Sequence, residues 1–163
     1  MAGEFAGRRE RATGLVGILV ALGVMLAAPA SAHAETVEDE FLQVAPLPDG
    51  IDTVAPLPGA VNVRFQNCEA FWPDGYRAWR AESVATNGHA ERGDIYGWLR
   101  TKGAFEARGC DCAAKVAPWE DVEAIYAALK SRHGQVVLKH TAVYEDQARR
   151  YRSAVQRMCG GPF

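Results

Sequence analysis

Two of the four cysteines stand one residue apart, as Cys110-Asp111-Cys112, while Cys68 and Cys159 lie far out on either side. In an oxidising compartment paired thiols persist, and four cysteines allow three connectivities. A bridge between Cys110 and Cys112 would close a ring across a single residue and strain the disulfide geometry. Each half of the motif therefore reaches a distant partner, and the middle of the chain becomes a covalent junction. Cys68, Cys110, Cys112 and Cys159 are read as two structural disulfides.

The first residues supply the oxidising compartment. Arg8, Arg9 and Arg11 precede an uncharged apolar run, Leu15–Ala28, and small residues follow through Ala30, Ala32 and Ala34. This is the layout of a secretory signal peptide over residues 1–34, with cleavage after Ala34 or Ala32. The run is shorter than the ~20 residues that a membrane span requires. Arg8-Arg9 lacks the apolar residues that follow a twin-arginine pair, so the general export route is expected. No cysteine follows the run to carry a lipid. Residues 1–34 carry three Arg and two Glu, so the remainder is near −3, against −2 for the whole chain. That balance offers no basic stripe for nucleic acid and no polybasic membrane signal.

Residues 35–62 read as an extended arm or linker. Val44-Ala45-Pro46-Leu47-Pro48 is echoed ten residues later by Val54-Ala55-Pro56-Leu57-Pro58, and four of the chain's eight prolines lie in this repeat. Each proline fixes φ, removes a donor and favours extended geometry before it. Leu47 and Leu57 are apolar anchors on a stiff backbone, which makes the arm a candidate partner-binding element. Val61–Phe65 alternates apolar and polar residues, as a short strand or the end of the arm.

Residues 63–163 read as an all-α domain, a small disulfide-tied four-helix bundle. The first helix follows Pro73, with Tyr76, Trp79 and Val84 as its stripe and Asn87-Gly88 as its stop. Ile95, Trp98 and Leu99 mark a second, from about Ala90 to Thr101, ended by Lys102-Gly103. Phe105–Val116 reads as a loop. A third helix follows Pro118, with Glu120, Asp121 and Glu123 near its positive end, a Val122, Ile125, Tyr126 and Leu129 stripe, and Gly134 as its C′ residue. The fourth, from about Thr141 to Cys159, repeats Tyr144, Ala148, Tyr151, Val155 and Met158, a seam for packing on another helix. If the last two helices form an antiparallel hairpin, Cys159 returns to the segment before Pro118. That geometry predicts Cys112–Cys159 and Cys68–Cys110 bridges.

Residues that could carry chemistry have simpler explanations. A Cys-x-Cys thiolate pair suits Cu(I) or zinc. The available helpers, His89, His133, His140 and Met158, stand at no compact ligand spacing from it. There is no nucleophile elbow, phosphate loop or zinc-protease helix. Phe71, Trp72, Tyr76, Trp79, Trp98 and Trp119 supply the core, and a surplus ring among them is available to line a groove. The expected class is a non-enzymatic interaction or structural protein of the cell envelope, periplasmic or secreted, that needs no cofactor and has an envelope protein as partner. An accessory subunit of a secretion or conjugation machine fits that description. The alternative is a metal-handling or thiol-redox protein using the Cys-x-Cys, or a small envelope enzyme or ligand-binding domain using the aromatic surface. Export has a direct test: mass spectrometry of the secreted or periplasmic form should show Glu35, or otherwise His33, as its first residue. An intact Met1 in a membrane fraction would refute it.

Overall fold

A computed structural model describes residues 44–86 and 90–163, all within one compact unit. The export segment, the acidic stretch before Val44, the Asn87-Gly88 stop and His89 lie outside the described residues. The domain is all-α, as the periodicities predict. Among the described residues its helices are α1 (Asp74–Thr86), α2 (Ala90–Glu106), α3 (Trp119–His133) and α4 (Leu138–Cys159), with 3₁₀ segments at Ile51–Thr53 and Phe65–Phe71 before α1 and at Ala113–Lys115 between α2 and α3. No strand occurs among the described residues, so Val61–Phe65 is not one; a 3₁₀ segment, Phe65–Phe71, starts at its end.

The most extensive helix contact joins α2 to α4, and the two run in the same direction. Thr141 Oγ1 donates to Asp94 Oδ2 (2.7 Å), Trp98 Nε1 donates to Gln147 Oε1 (3.0 Å), and Phe105 packs on Tyr151. Gly97 faces Ala148 across the interface, so small residues let the backbones approach. The α4 seam is buried throughout, from Tyr144 through Ala148, Tyr151 and Val155 to Met158. Helix α3 crosses back antiparallel to α2: Arg92 forks onto Glu123 (2.8 and 3.2 Å), and Tyr96 meets Trp119. Val122, Ile125 and Leu129 turn inward as their spacing requires. The close approach of Trp119 to α1 demands Gly75, because a Cβ there would lie 2.2 Å from Trp119 Cδ1.

One helix end differs from the sequence expectation, and at α4 the structure selects a backward extension into Val136–His140, a stretch that the sequence left open between helix and short strand. Helix α2 runs through Gly103 to Glu106, because Ala104 and Phe105 pack against the α4 seam and that burial outweighs one glycine's helix cost. Its left-handed C′ residue is Arg108 (φ 50°), with Arg108 N–H donating to Phe105 O and Gly109 N–H to Ala104 O. Helix α4 begins before Thr141, at Leu138, and His140 Nδ1 accepts the Val137 N–H (3.3 Å) in place of a hydroxyl cap.

The disulfides are Cys68–Cys112 and Cys110–Cys159, which corrects the expected pairing. The expected pairing required α4 to lie chiefly against α3. The nearest neighbour of α4 is α2, which runs parallel to it and delivers the chain to Cys110 at the end where Cys159 sits. Gly109 makes this junction tight: a Cβ there would lie 2.1 Å from Ala114 Cβ. Asp111 Oδ1 accepts the Ala114 N–H (2.9 Å), and Cys112 joins Cys68 in the 3₁₀ segment.

The described part of the proline-rich stretch, from Val44, is irregular chain interrupted by a 3₁₀ segment at Ile51–Thr53 and turns at Gly50 and Gly59, and it packs on the helical core. Ile51 is buried, and Leu47 and Leu57 are half-buried against the protein's own core, which corrects their reading as free partner anchors. The segment runs along α4. Gln147 Nε2 donates to Ala45 O (2.7 Å), Arg157 Nη2 to Ile51 O (2.7 Å), and Leu57 N–H to Met158 O (2.8 Å). Prolines leave few backbone donors to satisfy, and α4 satisfies the carbonyls.

Each disulfide closes a separation of 44 or 49 residues, worth about 4 kcal/mol in the chain-entropy model. Cys159→Ser should therefore lower the melting temperature by on the order of 10 °C. Thiol labelling and peptide mapping should then find Cys110, not Cys112, as the free partner.

Candidate functional site

Helix α1 carries two faces. Tyr76 and Trp79 turn inward, where Tyr76 stacks on Tyr96 at 4.1 Å and Trp79 lies 5.6 Å from Trp119. Arg77, Arg80, Ala81 and Val84, at i, i+3, i+4 and i+7, form the opposite stripe. That stripe faces Glu69, Ala70 and Trp72, and the two walls enclose an open groove of about 510 Å³. Val84 therefore does not belong to the inward stripe with Tyr76 and Trp79; it is 75% exposed. Phe71, next to Trp72 in the chain, is 54% exposed and is the surplus ring among the aromatics. Trp72 is buried at the floor, and the Arg80 guanidinium lies 4.6 Å over its ring. Arg77 pairs with Asp74 (2.6 Å) on the solvent side, where such a pair contributes little.

The cysteine motif does not make a thiolate site. All four cysteines are bonded, so neither sulfur of Cys110 or Cys112 is free to bind a metal. Met158 is buried in the α4 seam. His133 and His140 stack at 4.0 Å beside the α3–α4 turn. Their turn opens α4, whose 22 residues carry the chain about 33 Å to Cys159. Among the described residues, no three His, Cys, Asp or Glu side chains stand together as a metal-binding group.

A second locus had no signal in the sequence. Lys115 is completely buried, and its Nζ donates to Asn62 Oδ1 and Val63 O. Arg100 stands beside it, with Cζ 3.9 Å from the Phe65 ring centroid and 4.6 Å from that of Phe163. Burial pulls the Lys115 ammonium down to about 8, and the Arg100 charge adds to the effect. Burial likewise lowers Arg100 to about 10, with Arg152 contributing a further positive charge. Burial and Tyr76 push the Tyr96 phenol up to about 12.

The chain was compared with protein-family models, with curated proteins and with solved structures, and it matches none of them. Its function is therefore argued from its own surface.

The buried lysine makes a pH prediction whose sign follows from linkage. The unfolded chain keeps this proton to about pH 10.5, whereas the folded protein releases it near 8. Between those values the unfolded state binds more protons, so stability rises with pH. Tyr96 acts in the opposite direction only above pH 10, its ordinary value. Thermal melts from pH 7 to 9.5 should show a rising melting temperature, and Lys115→Met should flatten the slope. An equal slope in the variant would remove Lys115 as its cause.

Proposed function

We propose that this chain is an exported interaction protein of the cell envelope, without catalytic activity of its own, that docks an envelope partner in the groove between α1 and the Phe65–Phe71 segment. The observation that carries this reading is the exposure of Val84 in a groove floored by Trp72, with the exposed Phe71 next to Trp72 in the chain. Large apolar side chains exposed beside an aromatic floor and an arginine have the composition of an interface core rather than of ordinary surface. Export is supported by two disulfides, which persist outside reducing compartments. No helix among the described residues is long and apolar enough to cross a membrane. A periplasmic or secreted location accommodates both observations. An accessory subunit of a secretion or conjugation machine is a role of this kind. The docking role passes from the proline-rich segment to the groove, because Leu47 and Leu57 are engaged internally.

The test is site-specific photo-crosslinking in the cells that express the protein. A photoreactive phenylalanine replacing Val84 should capture a discrete envelope protein. The same residue replacing Val143, an exposed apolar position on α4, should not. Ala81→Glu should abolish the Val84 adduct while leaving the melting temperature unchanged. Equal adducts from both positions, or none, would sink the proposal.

A further inference from the structure

The Arg100–Lys115 locus lies outside the residues that line the docking groove and asks for a different ligand. Two cations share it, both within 5.0 Å of the Phe163 ring centroid. Among the described residues neither forms an ion pair. Lys115 is satisfied only by neutral oxygens, those of Asn62 and Val63. Arg100 Nη1 is sealed from solvent and has no hydrogen-bond acceptor. Asp111 acts on Lys115 electrostatically, but its Oδ1 is occupied by the Ala114 N–H.

The simpler explanation is that the phenylalanine rings compensate the guanidinium. They do so only in part. A ring face attracts the positive charge but offers no lone pair to an N–H donor. Nη1 therefore keeps its unmet hydrogen bond, and the Lys115 charge is offset only from a distance, by Asp111. Buried charges are normally paired, and an arginine fork beside an ammonium matches the planar or tetrahedral oxygens of a carboxylate or phosphate. The neighbouring Arg152 adds to the positive field. The cover over the locus is the tail after α4. It carries Phe163 onto Phe65, with parallel rings 6.2 Å apart, and is tied by Asn62 Nδ2 donating to Pro162 O (2.7 Å). Asn62 thus holds Lys115 with one end of its amide and the tail with the other. A left-handed Gly160 (φ 73°) and Gly161 turn the chain out of α4 into this tail.

We propose that Arg100 and Lys115 form a binding site for a small oxyanion, a carboxylate or phosphate group, beneath the Phe163 ring.

The experiment is an amide NMR titration of the oxidised wild-type protein at pH 7 with sodium phosphate and, separately, sodium acetate, sodium chloride holding ionic strength constant. At least one anion should produce saturable shifts at Asn62–Phe65, Arg100–Thr101 and Ala113–Lys115. Lys115→Met and Arg100→Lys should each weaken the dissociation constant at least tenfold while keeping a dispersed spectrum. If one variant unfolds, the other and the wild-type shift map still decide. Shifts that fail to saturate with both anions, that saturate only at residues elsewhere, or that persist with equal affinity in a folded variant would overturn the assignment.

Discussion

The parallel contact between α2 and α4 is the constraint on which the rest of the structure depends. It brings the C-terminal ends of both helices to one level, so the chain leaving α2 meets the end of α4 within a few residues. The Cys110–Cys159 bond closes that meeting point. Helix α3 must then cross back between them in sequence, and α1 packs across α2 and α3 through Tyr76, Trp79 and Trp119. Two hydrogen bonds within the contact, Thr141 to Asp94 and Trp98 to Gln147, satisfy polar groups that burial would otherwise penalise.

The Cys-x-Cys motif works as a junction because its halves face different elements. Cys110 ties the α2–α4 unit, and Cys112 ties the 3₁₀ segment that begins at Phe65 and leads into Trp72. Asp111 lies between them and turns the chain by accepting the Ala114 N–H. Bonding all four sulfurs removes the thiolate chemistry that the motif would offer in a reducing compartment. It also holds Lys115 near Arg100, since Ala113–Lys115 follows directly on the junction. The buried charge is therefore held in place by the covalent framework despite its own desolvation cost.

The two candidate surfaces differ in physical character. The groove is open, apolar and aromatic, and it suits a macromolecular partner that brings its own large side chains. The Arg100–Lys115 locus is buried and cationic, and it suits a compact anion. Phe65 adjoins both, because it packs on Trp72 at 5.3 Å and stacks on Phe163.

Periodicity determined the helical class and the inward faces of α3 and α4, and redox chemistry determined that all four cysteines would be bonded, though not to which partner. The surplus of aromatics was legible too, though not which ring remained exposed. Tertiary packing decided the rest. Gly103 reads as a helix stop until Ala104 and Phe105 find the α4 seam, after which Arg108 takes the left-handed position. Val84 sits near the spacing of Tyr76 and Trp79, but it falls on the opposite face with Arg77, Arg80 and Ala81. Leu47 and Leu57 look like free anchors until α4 supplies donors to the segment that carries them. The disulfide pairing depended on which helix lies beside α4, a choice between two neighbours that sequence adjacency misjudged. The Arg100–Lys115 locus was invisible for the same reason: its two cations, its asparagine and its rings come from distant parts of the chain, and only the fold brings them together.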